Sequence, residues 1–302
     1  MKKTIIISLI FIFFATLVTE AQRGSTRWKR MRYEVVYGLG GSNFLGELGG
    51  ANMIGTDFIR DLEISLTRPM GMIGMRYKIL ENLATKASLH YGYVKGDDAK
   101  TEQIHRENRN LHFRSSIIEF SAQLEYSIVR ERVGHRYNLR RVRGIKGFKT
   151  NTYAFVGVGA FYFNPKAKLG DEWFSLRPMG TEGQGLIPTR KMYSRVQVCI
   201  PFGIGFKYGL NRLWSIGLEY GIRKTFTDYI DDVSSSYYDN AAIRAANGDI
   251  AGYFADPSSG PPSWTMGGQQ RGDSTDKDTY MFAVINLTYK LRTDRNGLPK
   301  FR

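Results

Sequence analysis

Three carboxylates stand close together in one segment of the chain, and clustered carboxylate oxygens are ligands that calcium prefers. Asp228, Asp231 and Asp232 lie within five residues of one another. Their spacing is not that of an EF-hand loop, and the segment has no glycine at the turn that such a loop requires. We therefore expect these aspartates to be solvated or to cap neighbouring backbone groups. The sequence predicts no metal site and no cofactor.

Two serine–histidine pairs could supply a nucleophile and a base. His90 lies two residues from Ser88, and His112 lies three residues from Ser115. Acyl transfer of this kind needs a third group to orient the histidine, and the spacing specifies no acid for that role. The single cysteine, Cys199, excludes a disulfide framework, a cysteine-ligated zinc site and an iron–sulfur cluster. We predict that the chain is not an enzyme and has no catalytic residue.

The first 21 residues have the pattern of a secretory signal peptide. Two lysines follow Met1, residues 5–18 are almost entirely apolar, and small residues at Thr19 and Ala21 favour cleavage after Ala21. No cysteine follows Ala21, so we expect no lipoprotein anchor. A mean hydropathy of −0.33 excludes a bundle of membrane helices. We therefore predict a signal peptide over 1–21 and one domain over 22–302.

Apolar and polar residues alternate along most of that domain. From Trp214 to Phe226 the even positions are apolar except Lys224, and the odd positions are polar or small. This period places the two sets on opposite faces of a strand. The pattern recurs, most weakly at 152–163, and predicts strands at 33–42, 68–79, 83–93, 115–128, 152–163, 196–208, 213–226 and 285–291.

An even number of long alternating strands is typical of an outer-membrane protein. We predict an all-β fold, an eight-stranded antiparallel transmembrane β-barrel with long extracellular loops. A soluble β-sandwich also alternates, but the signal peptide, the aromatic strand ends and the link lengths favour the barrel. Short links at 80–82 and 210–212 are predicted periplasmic turns. Long links are predicted to be extracellular at 45–65, 95–111, 165–195 and 227–278.

The link 129–151 does not fit that rule, because it is long and yet falls on the periplasmic side. It carries a charge of +7, while the whole chain has a net charge of +15. Apolar residues interleave with its arginines, as in protein interfaces. We predict that it docks an acidic periplasmic protein, with lipid headgroups or peptidoglycan as the alternative partners and no nucleic acid. The candidate partner-binding residues are Arg136, Arg140, Arg141, Arg143 and Lys146.

The predicted inward faces of the strands carry charges of both signs. A barrel of eight strands has an interior that side chains can fill. Buried charges must be paired, so we expect a packed plug of ion pairs and no open pore, rather than a proton path. The candidate ion-pair residues are Glu34, Arg76, Lys86, Glu119, Glu125, Lys207, Glu219 and Arg223.

The stretch from Gly217 to Ser234, with its Thr-Asp-Tyr-Ile-Asp-Asp-Val-Ser end, resembles the signature of the PorG-type outer-membrane barrels of the type IX secretion system. The resemblance extends to Gly38–Gly50, Thr67–Pro69, Arg271–Asp273 and Asp278–Tyr280. The motif residues are Thr227, Asp228, Tyr229, Asp231 and Asp232.

The resemblance implies a non-enzymatic accessory of protein export and gliding. Members of that family are linked to a periplasmic ring made of a lipoprotein and a partner subunit, and no catalytic residues transfer. The hypothesis is thus a scaffold in the cell outer membrane that docks the ring through its basic periplasmic face. A lipid-modifying enzyme at the barrel rim, built on His90 or His112, is the alternative.

Overall fold

The computed structural model describes residues 26–46, 48, 66–100, 103–131, 149–294 and 298–300. Ten strands run through this part of the chain, and eight of them form a ring. The ring strands are β1 (Tyr33–Leu45), β2 (Arg68–Lys78), β3 (Leu83–Asp97), β4 (His112–Val129), β5 (Thr150–Leu169), β7 (Val196–Gly209), β8 (Trp214–Thr225) and β9 (Thr279–Thr293). Two short strands, β6 (Glu172–Ser175) and β10 (Pro299–Lys300), extend β5 and β9.

The ring closes because β1 pairs with both β2 and β9. Val36 on β1, for example, lies between Gly74 on one side and Thr288 on the other. Every pairing around the ring is antiparallel. The predicted eight-stranded antiparallel barrel is therefore confirmed.

The two faces of the strands differ as the alternation predicts. On β8, Ser215 and Glu219 are buried in the lumen, while Ile216 and Leu218 face outward. Outward apolar side chains are widely exposed, and Leu39 keeps 75 % of its surface. The barrel is thus polar inside and apolar outside, the reverse of a soluble β-sandwich with a buried apolar core.

β5 is the strand whose pattern was weakest in the sequence. Tyr153, Phe155, Phe161 and Phe163 all point into the lumen, whereas Val158 faces outward. Both faces of β5 therefore look apolar in the sequence, because the interior at this strand is aromatic.

Two glycines make room for one of these rings. Gly203 on β7 pairs with Gly221 on β8. A Cβ on Gly221 would lie 2.6 Å from Cζ of Phe155, and one on Gly203 would lie 2.8 Å from the same atom. The phenyl ring of Phe155 fits here only because these two facing residues have no side chain.

Several strands run further than predicted at the end that carries the long links. β4 begins at His112, β5 continues to Leu169, and β9 begins at Thr279. The extra residues at these ends pair with neighbouring strands beyond the predicted alternating segments, as Asp97 on β3 pairs with His112 on β4. We call this end of the barrel the loop end, and the end with the tight links 79–82 and 210–213 the turn end.

The long links contain short helices. Helix α1 (Ile104–Arg109) lies in the link after β3, and α2 (Asn240–Asn247) and α3 (Asp249–Ala255) lie in the link after β8. No helix in the described part of the chain is long and apolar enough to cross a membrane. The predicted signal peptide lies outside the described residues, as do 132–148 with Arg136, Arg140, Arg141, Arg143 and Lys146.

Candidate functional site

The turn end of the lumen is organised around one fully buried carboxylate. The carboxylate of Glu34 on β1 forms ion pairs with Arg76 and Lys78 on β2 and with Lys207 on β7. The nitrogen–oxygen distance is 2.9 Å in each pair. The alternation places all four side chains on the inner face, and the closure of the ring brings β7 opposite β1. A single carboxylate is thus shared by three cations.

A chain of charged groups continues from this centre across the lumen. Nε of Arg76 donates to Glu125 at 2.5 Å, and its Nη2 donates to the hydroxyl of Tyr153 at 3.2 Å. That hydroxyl donates to Glu219 at 2.8 Å. Lys86 lies 2.5 Å from Glu219 and 3.5 Å from Glu125. Each carboxylate therefore meets a cation and further hydrogen bonds, as buried charges require.

A second cluster lies nearer the loop end. Glu119 accepts from Nε of Arg223 at 3.2 Å and from the hydroxyl of Tyr280 at 2.9 Å. Nδ1 of His90 lies 3.4 Å from the same carboxylate. The guanidinium of Arg223 stacks 4.3 Å from the ring centre of Phe282. This cluster joins the charged part of the lumen to its aromatic part.

The two clusters contain all eight interior charges that the sequence proposed. The side chains brought together are those of Glu34, Arg76, Lys86, Glu119, Glu125, Lys207, Glu219 and Arg223. Sequence reasoning missed Tyr153 and Tyr280, whose hydroxyls link the carboxylates. The sequence did not single them out, because Tyr280 precedes the predicted strand 285–291 and Tyr153 lies in the weakly patterned segment 152–163.

Aromatic side chains fill the lumen towards the loop end. The rings of Phe44 and Phe113 meet edge to face at 5.0 Å, and those of Phe161 and Tyr280 meet at 5.3 Å. Phe163 is fully buried beside them. These rings are held mainly by close packing against one another, and the hydroxyl of Tyr280 connects them to Glu119.

The link after β8 folds over this layer as a cap. We use the name cap for residues 227–234. Residues from other links contact the cap and hold it in place. Ile230 is fully buried and Val233 is 1 % exposed, and both belong to the same apolar core as Phe163. The link after β8 therefore begins inside the mouth of the barrel.

The motif aspartates are part of the cap. Asp231 accepts a hydrogen bond from the backbone N–H of Leu48 at 3.3 Å. Asp232 accepts from the hydroxyls of Thr181 and Tyr193, both at 2.6 Å. Asp232 also has φ of 69°, a left-handed conformation that aspartate tolerates better than most residues.

The expectation that these aspartates are solvated is wrong, because Asp228, Asp231 and Asp232 are all at least 97 % buried. The expectation of capping holds for Asp231. Two further motif residues contact each other within the cap, since Oγ1 of Thr227 accepts from the backbone N–H of Tyr229 at 3.3 Å. Over the described residues, no three acidic, histidine or cysteine side chains are grouped in a way that could hold a metal ion.

A buried ion pair that the sequence does not reveal holds the cap in place. Arg271 lies 3.0 Å from Glu182, and its Nη1 donates to the backbone carbonyl of Asp232 at 2.8 Å. Glu182 also accepts from the N–H and the hydroxyl of Ser235. Burial raises the pKa of Asp232 to about 6, and the neighbouring Glu182 adds to the rise.

The segments that carry the resemblance meet at this cap. Leu48, Asp231 and Arg271 come from three of them, and Asp278 from a fourth accepts from the N–H of Ile230 at 2.8 Å. These separate stretches therefore act together to close the loop end.

The serine–histidine pairs do not form a site at the rim. His90 is fully buried in the lumen, and Oγ of the nearby Ser88 lies 3.3 Å from Oγ of Ser121. Nε2 of His112 accepts from the backbone N–H of Lys168 at 3.0 Å, which leaves that imidazole in a structural role. The expected position of His90 at the outer rim is wrong, because β3 continues to Asp97 and leaves His90 inside.

Little space remains in the described lumen. A cavity of about 10 Å³ lies beside Arg76 and Lys207 at the turn end, which is room for roughly one water molecule. A cleft of about 670 Å³ lies outside the lumen between α1 and residues 263–273.

The family model described as "Domain of unknown function (DUF6089)" matches residues 5–169. No curated protein matches the chain.

Among solved structures, the chain is similar to the outer membrane protein OprG from Pseudomonas aeruginosa, with 9 % identity over 87 % of this chain and 98 % of that one and a TM-score of 0.39. It is similar to Ail, the attachment invasion locus protein of Yersinia pestis, with 8 % identity over 86 % of this chain and 98 % of that one and a TM-score of 0.38. Neisserial surface protein A is similar at 9 % identity over 85 % and 96 % of the two chains, with a TM-score of 0.36. The match over 5–169 covers more than half of the sequence, and the chain belongs to the DUF6089 family.

Proposed function

We propose that the protein is a closed, non-enzymatic barrel of the outer membrane that serves as an anchor for a periplasmic assembly. The observation that carries this proposal is the filling of the lumen from one end to the other. Ion pairs occupy the turn end, aromatic rings occupy the part above them, and the cap covers the loop end.

The apolar outer wall of the barrel supports the proposal that the protein lies in a membrane. Apolar side chains such as Phe120 and Leu218 project from it, with 58 % and 55 % of their surface exposed. Aromatic rings flank this band, and Trp214 and Tyr289 meet at 4.7 Å at the turn end. An apolar band between aromatic girdles is what a barrel presents to lipid.

A filled lumen removes transport as the function and leaves the two ends for contact with partners. On the turn end, the resemblance to PorG-type barrels and the +7 charge of 129–151 both favour a protein partner. We propose that this link docks a ring of the type IX secretion system. Arginine suits such a role because it forms bidentate contacts with carboxylates.

The test is the co-purification of periplasmic proteins with a variant in which Arg136, Arg140, Arg141 and Arg143 are replaced by serine. The variant should fold, as judged by heat-modifiable mobility on gels, and should retain less of its partner. The deficit should deepen as salt rises, because the remaining charges are screened.

A control removes three positive charges elsewhere on the same end, with Lys29, Arg30 and Arg292 replaced by serine. This control should keep its partner. Full retention of the partner and full secretion in the four-fold variant at physiological salt would reduce the link to a membrane-surface anchor and contradict docking.

A further inference from the structure

Three cations form one row on the outer wall near the loop end. Lys95 on β3 pairs with Arg114 on β4, and Arg114 pairs with Lys166 on β5. Their chain neighbours Phe113 and Ala167 point into the lumen, so the three cations face outward. We infer that this row, which we call the cation rung, binds the phosphate of a phosphorylated glycolipid in the outer leaflet. The inference rests on the membrane placement proposed above.

The central cation is held in place by aromatic rings. The guanidinium of Arg114 lies 4.1 Å from the ring centre of Trp173 on β6 and 5.7 Å from that of Tyr93 on β3. Such stacking fixes the plane of a guanidinium and leaves its edge N–H groups for an anion. A pre-oriented donor loses less entropy on binding than a free side chain.

The charges around the rung favour an anion on its lipid side. Lys95 lies 3.1 Å from Asp97, and Lys168 lies 3.3 Å from Asp171. Both acids stand beyond the rung, towards the tips of the links. Over the described residues, neither Arg114 nor Lys166 has a carboxylate within salt-bridge distance, and the rung keeps a positive charge.

The cation rung lies at the height above the apolar band at which lipid headgroups would lie. Ile118, Phe120 and Tyr126 on β4 face outward with 44, 58 and 37 % of their surface exposed. Each two-residue step along a tilted strand changes depth by about 5 Å, so the band from Ile118 to Tyr126 is about 20 Å tall. Arg114 lies two steps beyond Ile118, about 10 Å above this band.

This depth distinguishes a lipid phosphate from a dissolved one. A soluble anion would approach from the link tips, where Asp97 and Asp171 already neutralise Lys95 and Lys168. A lipid phosphate comes from the membrane side, where the next outward row carries Ser116 and Asn164. These polar groups stand at the level where the sugar and ester groups of a glycolipid would lie.

The test uses purified, folded protein mixed with equal amounts of bis-phosphorylated and dephosphorylated lipid A, with bound lipid counted by native mass spectrometry. The unmodified protein should prefer the phosphorylated form by about tenfold or more, since each cation near a membrane surface adds measurable attraction. The variant Lys95→Gln, Arg114→Gln, Lys166→Gln should lose this preference.

Lys224→Gln is the matched control, because Lys224 is an outward lysine at the loop end of β8 with Ile200 and Thr279 beside it. It should keep the preference. If the triple variant does not fold, Lys166→Gln alone should lower the preference by about threefold.

Several outcomes would overturn the lipid site. They are an unchanged preference in the folded triple variant, an equal loss in Lys224→Gln, and full displacement of lipid A by millimolar inorganic phosphate. Insertion into bilayers with equal retention of both lipids would overturn the lipid site alone. Failure to insert would contradict the membrane placement and the lipid site with it.

Discussion

The two halves of the lumen are closed by different physical means. At the turn end, charges from several strands neutralise one another, as where Arg76 joins Glu34 to Glu125. At the loop end, rings such as Phe163 pack beneath a cap that holds Ile230. The first half is built from side chains of the ring itself, and the second needs a link folded back into the barrel. We therefore expect damage to the first to unfold the barrel and damage to the second to open only the cap.

The largest effect is expected from Glu219→Ala, which leaves Lys86 buried without its closest carboxylate. Removal of one partner of a buried ion pair costs about 3–5 kcal/mol. Urea unfolding followed by heat-modifiable gel mobility measures the loss. Glu172→Ala, at the exposed first residue of β6, should cost almost nothing. The double variant Lys86→Met, Glu219→Leu should recover most of the stability, and a loss equal to that of Glu219→Ala would mean that the ion pair is not the cause.

A smaller and local effect is expected from Ile230→Ala in the cap. Ile230 is fully buried, and truncation of such a side chain costs about 2–5 kcal/mol. Because the ring does not depend on the cap, the cap should become sensitive to protease while the mobility shift of the barrel stays unchanged. Ile250→Ala is the control, since Ile250 is 41 % exposed on α3. Simultaneous unfolding of ring and cap in Ile230→Ala would show that the two halves are not separable.

The cap should also respond to pH through Asp232. Its pKa of about 6 is raised by burial above the ordinary value near 4, so the folded cap binds the proton more tightly than the unfolded one. The cap should gain stability as pH falls from above 6 towards 4, by at most about 1.4 kcal/mol per pH unit, and lose it as pH rises through 6. Protease resistance of the cap against pH measures this.

Asp232→Asn should flatten the profile between pH 4 and 6, whereas Asp273→Asn, at an exposed position, should leave it unchanged. An unaltered profile in Asp232→Asn would assign the pH response to another group.

The smallest effect is expected at the serine and histidine inside the lumen. Ser88→Ala removes one side-chain contact, with Ser121, and should cost about 1 kcal/mol. Neither Ser88→Ala nor His90→Ala should change the composition of lipid A in the membrane, which mass spectrometry of extracted lipid would show. A lost lipid modification in either variant would favour the rim enzyme over the anchor.

The contrast between the two halves also explains what the sequence could reveal. The ion pairs at the turn end follow from alternation, which is a local pattern that fixes the side of a strand on which Glu34 or Lys207 lies. Antiparallel closure then brings these charges together. The same pattern could not show β5 clearly, because its inward positions are aromatic.

The cap depends on contacts between distant parts of the chain. Asp231 meets the backbone of Leu48, and Glu182 meets Arg271. No period along the chain encodes such a meeting, and aspartates in a polar link look solvated until the link is folded. The resemblance pointed to the right segments without indicating that they pack into the mouth of the barrel.

Closure of the lumen is the central claim, and conductance across a planar bilayer tests it most directly. Purified protein should show no steady conductance. Ile230→Ala should be equally silent, because the ion pairs at the turn end still fill the lumen when the cap is loosened. Large, stable channels in the unmodified protein would contradict a closed barrel and with it the proposed role as an anchor.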